Sequence, residues 1–226
     1  MYSRQGVLPQ SHEEETSAMK NAGSQTVFLL SPAHCGGERA RLLLSGRGRF
    51  PLAFSLQAGE PASLGEVFTF LSGLYFRGKI AYARAFARPP EGTPGAVVIT
   101  PNRGLLAADE PVTLDDLRGF AEVAIDANDA RYRRPLERDA HDLALRVGAN
   151  TDLVLLGSVA SPKYIEVLAA IFGERLLFPG QFVGRGDMSR GGLLLRCVED
   201  RQELEYIPVA GAILHGRRPP KLPQKR

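Results

Sequence analysis

The chain has 226 residues, 44% of them apolar, a formal net charge of +3 and two cysteines, Cys35 and Cys197. That length can bury a full core in one domain. No run approaches the 18 apolar residues of a membrane span, and two distant cysteines do not make a disulfide scaffold. Five of the cations (Arg217, Arg218, Lys221, Lys225, Arg226) sit in the closing stretch "HGRRPPKLPQKR". Taking those five from +3 leaves about −2 for the rest, which weighs against a globally basic nucleic-acid surface and moves the electrostatic footprint to a proline-rich tail.

Residues 1–24 carry no apolar periodicity and include the acidic run Glu13 to Glu15. They read as a disordered leader without a signal peptide. Order is expected from "TVFLLSP", a continuous apolar run suited to a strand covered on both faces. "AHCGGERARLLL" follows as a loop opening a helix near Glu38. In "SLGEVFTFLSGLY" Ser63 stands three residues before Glu66, the spacing of a capping box, ahead of an apolar helical face. "GKIAYARAFA" continues as a further helical stretch, and "GAVVIT" (95–100) is a second buried strand stopped by Pro101.

Thr113 is placed to cap a helix beginning "LDDL", whose aspartates suit the positive end of the helix dipole. A helix is expected from about Arg131 to Val147, with Pro135 in its first turn, then a third buried strand in "DLVLLGS" (152–158). "SPKYIEVLAAIFG" has Ser161 as N-cap, Pro162 at the first helical position and Gly173 at the exit. "RLLFPG" reads as a strand, and "GLLLRCV" and "ELEYIPV" read as the arms of a hairpin. The alternation predicts an α/β fold: a layered, mostly parallel central sheet flanked by helices, with an antiparallel C-terminal hairpin. The expected organisation is a leader (1–24), one α/β domain (25–214) and the basic tail (215–226).

The segments "FLLSP", "GLYFRGKIAYARAFA", "VVITPNRGLLAADEPV" and "LVLLGSVASPKYIEVL" resemble, in order and local pattern, the YaaA-like superfamily, which includes the peroxide-stress proteins. The likeness spans roughly residues 26–180. It implies an α/β fold and an association with DNA or modified-base metabolism. Two positions depart from that pattern: His34 stands where a lysine follows Ser-Pro-Ala, and Asn102-Arg103-Gly104-Leu105 replaces Lys-Tyr-Gly-Leu.

In open α/β sheets, ligands bind beyond the carboxyl ends of the strands, where loops lead into helix N-termini. Three segments share that position here. They supply Ser31, His34 and Cys35; Asn102 and Arg103; and Ser158, Ser161, Lys163 and Tyr164. Such a set suits a phosphate or a nucleobase edge, although helix capping would use the same residue types. Cys35 beside His34 could be a nucleophile with a lowered thiol pKa, or a small buried loop cysteine. His34, Cys35, Cys197 and His215 have no recognised metal-ligand spacing, and no cofactor is expected.

In "FVGRGDMSRGG" (182–192), Gly184, Gly186, Gly191 and Gly192 read as hinges of a loop that brings Arg185, Asp187 and Arg190 to one concave surface. Asp187 would act as a base or water-positioning group while the arginines hold an anion. The alternative is a structural loop fixed by Arg–Asp pairs. The expectation is a cytoplasmic protein that binds a nucleotide, a nucleobase or a nucleic-acid end, and that could act on an N-glycosidic bond. The second reading is a non-catalytic module contacting DNA or a partner through the basic tail. No membrane partner is expected, and the oligomeric state is open.

Overall fold

The computed structural model describes residues 24–160, 162–213, 216, 217, 219, 220 and 222. The leader other than Ser24, Ser161, and most of the tail lie outside the described residues. Strands β1 (Gln25–Leu30), β3 (Ala96–Ile99), β4 (Leu105–Ala107), β6 (Thr151–Leu156), β7 (Leu176–Pro179) and β8 (Tyr206–Pro208) form one sheet in the order β4-β3-β1-β6-β7-β8. The four inner strands are parallel, and β4 and β8 run antiparallel at the edges. β2 (Ala62–Ser63) and β5 (Pro111–Val112) make a separate two-stranded ribbon.

The period of two along β1 assigns its side chains to two cores. Phe28 and Leu30 enter one cluster with Val98, Val154 and Leu156; Val27 and Leu29 enter the other with Val97, Ile99, Leu153 and Leu155. Helices cover both faces, so the strands are apolar on both sides, as parallel strands must be. The first face carries α1 (Glu38–Leu44), α2 (Pro51–Gln57), α3 (Leu64–Ser72), α4 (Leu74–Phe86), α5 (Leu114–Ala121) and α8 (Asp187–Asp200). The second carries α6 (Ala130–Val147) and α7 (Pro162–Phe172). Among the described residues no helix is long and apolar enough to cross a membrane.

Local signals account for many boundaries. The Ser63 side chain accepts from the Glu66 backbone N–H and starts α3. Thr113 and Asp116 make a reciprocal capping box on α5. The chain turns at Gly73, so "GLY" begins α4 rather than ending α3. Pro135 falls inside α6 and not in its first turn; the carbonyl of Arg131 therefore has no intrahelical N–H to accept.

One element differs in kind. "GLLLRCV" is not a hairpin arm but the middle of α8, and the antiparallel C-terminal pair is built from β7 and β8, with Phe178 opposite Ile207. Three consecutive leucines satisfy a strand and a helix equally well. Arg190, Leu194 and Cys197 are the buried side chains at helical spacing, and they decide the outcome. The same helix absorbs the glycine-rich loop. Gly186 is its N-cap, and Gly191 is a packing position: a Cβ there would lie 2.8 Å from the Leu74 carbonyl oxygen, just as one at Gly78 would lie 2.7 Å from the Gly191 oxygen. The backbones of α4 and α8 thus meet directly, and this contact sets what lies at the end of the sheet.

Candidate functional site

The connection leaving β1 runs toward β3, and the one leaving β6 runs toward β7, on the other side. The carboxyl ends of β1 and β6 therefore flank the topological switch point, where open sheets leave a crevice. A cavity of about 450 Å³ lies there, lined by Ser31, Pro32, Ala33, His34, Leu71, Ser72, Tyr75, Ile125, Ser158, Lys163, Tyr164 and Asp187. A second cavity of about 450 Å³ shares Ala33, His34, Ile125 and Lys163 with it and reaches Cys35, Pro101 and Phe120. A wider groove of about 680 Å³ follows α1 between Glu38 and Arg47, but its lining is a solvent-facing mixture away from the switch point.

Ser31 is the first residue past β1, and its N–H still donates to the Leu156 carbonyl across the ladder (3.2 Å). On the other strand, the Ser158 N–H donates to the Tyr164 hydroxyl (3.0 Å), which folds the first turn of α7 back over the β6 loop. The Tyr164 and Ser31 side chains come together here at the cavity. Gly157 permits this closeness, since a Cβ there would sit 2.9 Å from Ser31 Cβ and 3.1 Å from the Tyr164 oxygen.

Behind Ser31 stands Lys79 of α4, a residue that sequence reasoning passed over. It is 1% exposed. Its Nζ lies 2.5 Å from the Ser31 carbonyl oxygen and 3.0 Å from Ser31 Oγ. The rings of Tyr75 and Phe76 each lie with their centroid 4.6 Å from Nζ. Burial pulls its pKa down to about 7, with Asp187 acting to raise it and Arg190 to lower it further. Tyr75 is buried too, and its hydroxyl makes no hydrogen bond of ordinary geometry. Burial pushes that phenol above its usual range, while the positive field of Arg190 opposes the rise.

The structure brings together Ser31, His34, Ser158, Lys163, Tyr164 and Asp187, six of the residues expected from sequence. Asp187 stands at the start of α8 with its side chain 69% exposed and a 3.5 Å contact to Arg190. Arg190 itself is buried; it donates twice to the Phe182 carbonyl, so it braces the helix start and does not line the cavity. Arg185 folds back onto the Gln181 carbonyl and Ser189 Oγ, which corrects its expected catalytic place. Both arginines are consumed by the local fold.

Two further expectations are corrected by partners. Arg103 is bound to Asp116 (2.9 Å) and faces Glu110 (3.6 Å), where it ties the β3–β4 turn to the capping box of α5. Asn102 packs beside Gly119 of α5 and does not line the cavity. Cys35 lines only the second cavity. Burial pushes its thiol up to about 12, and it donates weakly to the Ala33 carbonyl, so it is protonated at neutral pH and no nucleophile. Among the described residues no group of three or more His, Cys, Asp or Glu side chains is arranged to hold a metal ion.

The signal for Lys79 was present in the sequence: it follows Tyr75 and Phe76 by four and three residues and precedes Ala83 by four, all on one helical face. No protein-family profile matches the chain, and comparisons with curated proteins and with solved structures find no significant match.

Proposed function

We propose that the protein binds a nucleotide or nucleobase in the cavity between Ser31 and Tyr164, and that Asp187 acts there on an N-glycosidic bond. The observation that carries this reading is the convergence of a largely exposed carboxylate with hydroxyls, an imidazole and Lys163 at a switch-point crevice of about 450 Å³. Leu71, Tyr75 and Ile125 offer an apolar wall for a flat ring, while His34, Ser158 and Lys163 offer donors for a phosphate or a sugar. Among the described residues Asp187 is the one carboxylate lining that cavity, and it would polarise the water or the sugar. The likeness of "FLLSP", "GLYFRGKIAYARAFA" and the later segments to the YaaA-like superfamily supports the same substrate class, and we take it to reflect kinship.

The test is a thermal-shift and calorimetric screen of the full chain against nucleosides, nucleotides and short single-stranded DNA. At least one nucleotide is expected to raise the melting temperature, and Lys163→Ala is expected to weaken that binding. Asp187→Asn should leave binding in place and abolish base release, read by chromatography of the free base. A screen in which no nucleoside, nucleotide or oligonucleotide shifts the melting temperature would sink the reading.

A further inference from the structure

The geometry points to a second chemistry at this site, in which Ser31 Oγ is a nucleophile toward a small ester and Lys79 Nζ takes its proton. The inference rests on the same cavity but not on its taking a nucleotide.

Four observations converge. Ser31 lines the cavity, and its Oγ is 3.0 Å from a lysine nitrogen that solvent does not reach. Lys79 is anchored by a second hydrogen bond to the Ser31 carbonyl, so amine and hydroxyl are held by one residue. Tyr164, on the helix that follows the neighbouring strand, stands beside the same hydroxyl, with Gly157 leaving the space for both. Finally, the Tyr75 ring that lines the cavity packs on the same amine, with its centroid 4.6 Å from Nζ.

The groups facing Lys79 fix its protonation. Tyr75 and Phe76 flank it on its own helix, Ser31 faces it from β1, and Asp187 and Arg190 act on it from α8. Burial dominates, and a substantial fraction of the amine is neutral near pH 7. In the forward step Ser31 Oγ attacks the ester carbonyl carbon and its proton passes to Lys79. The carbon–oxygen bond to the leaving alcohol then breaks, and the alcohol departs with the proton from Lys79. Water attacks the resulting acyl-serine, Lys79 accepts one water proton and returns it to Ser31 Oγ, and the carboxylic acid is released.

The probe is p-nitrophenyl acetate on the full chain, with release of nitrophenolate followed by absorbance and the acylated peptide located by mass spectrometry. Acetylation is expected on Ser31, with a rate that rises through a transition near pH 7. Ser31→Ala should abolish it. Lys79→Arg keeps a cation and its donors but cannot accept the proton, and it should slow acylation by about 100-fold or more. Lys79→Met should do the same, with folding checked by circular dichroism. Absence of acetyl-Ser31 in the wild-type chain between pH 6 and 9, or an acylation rate that Lys79→Arg leaves unchanged, would overturn the inference. Nucleotide binding measured in parallel on the wild-type chain keeps the two readings apart: wild-type acylation failing while nucleotides bind overturns this inference alone.

Discussion

Replacing Lys79 by methionine isolates the cost of burying an ammonium. The side chain is 1% exposed and its pKa falls from 10.5 to about 7. At about 1.4 kcal/mol per unit, that shift corresponds to about 5 kcal/mol. This is an upper bound, because the two ring faces and the Ser31 carbonyl favour the charged form. Between about pH 7 and 10.5 the unfolded lysine holds a proton that the folded one has released, so stability rises with pH across that window. Below the window both states are charged and the full burial cost is present. Lys79→Met carries no such term, although it loses a pH-independent amount through the two hydrogen bonds to Ser31.

Urea unfolding of both proteins at a series of pH values measures the difference. The variant should gain most relative to wild type at pH 6, and its advantage should shrink by about 1.4 kcal/mol per pH unit above pH 7.5. A gap that stays constant from pH 6 to 10 would mean that the ammonium is hydrated, and the electrostatic account of the site would fail.

Gly191→Ala places a methyl 2.8 Å from backbone atoms of Leu74 and Tyr75, which cannot swing away, so α4 and α8 must separate. About 1–3 kcal/mol of stability should be lost, visible as a lower urea midpoint, and ligand binding should weaken because Asp187 moves with α8. Gly157→Ala, with its Cβ 2.9 Å from Ser31 Cβ, should lower stability by a similar ~1–3 kcal/mol and reduce any Ser31 acylation, measured with the same ester. Arg88→Met removes a two-pronged bond to Glu203 (2.8 and 3.1 Å) together with contacts to Thr26 and Ser24, at the far end of β1. A loss of about 1–2 kcal/mol with no change in ligand binding is expected. Native Cys35 should resist iodoacetamide at pH 8 and react only after denaturation, followed by mass spectrometry, since burial holds the thiol protonated.

The sheet was legible because parallel strands covered on both faces leave uninterrupted apolar runs, as in Val27 to Leu30 and Leu153 to Leu156. The caps at Ser63 and Thr113 were legible because their hydrogen bonds are local in sequence. Residues 192–198 were not, because three leucines in a row fit either period and only packing against α4 chooses between them. The same reason explains the arginines. Arg103, Arg185 and Arg190 carried the right chemistry for an anion, but their partners are Asp116 at the start of α5 and the Gln181 and Phe182 carbonyls of the short helical turn before α8, pairings that no spacing rule states.

Lys79 is the more instructive case, since a lysine in a helix is ordinarily a surface residue and its stem alone is buried. Its neighbour Gly78 shows why this one is different. With no side chain at 78, α8 comes down backbone to backbone at Gly191, and the two helices close over the position beside it. The amine on the face that Tyr75, Phe76, Lys79 and Ile80 share is then closed off from solvent. Small residues on two helices distant in sequence thus bury the amine, and the strand end beneath supplies the serine that it meets. Of the glycines of 184–192, expected as hinges of a loop over the cavity, Gly186 instead caps a helix and Gly191 packs that helix against α4. That helix carries Asp187 to the rim and seals Lys79 behind it. An insertion that moved Gly191 by one residue along α8 would turn a bulkier side chain toward Leu74 and Tyr75 and push α4 and α8 apart.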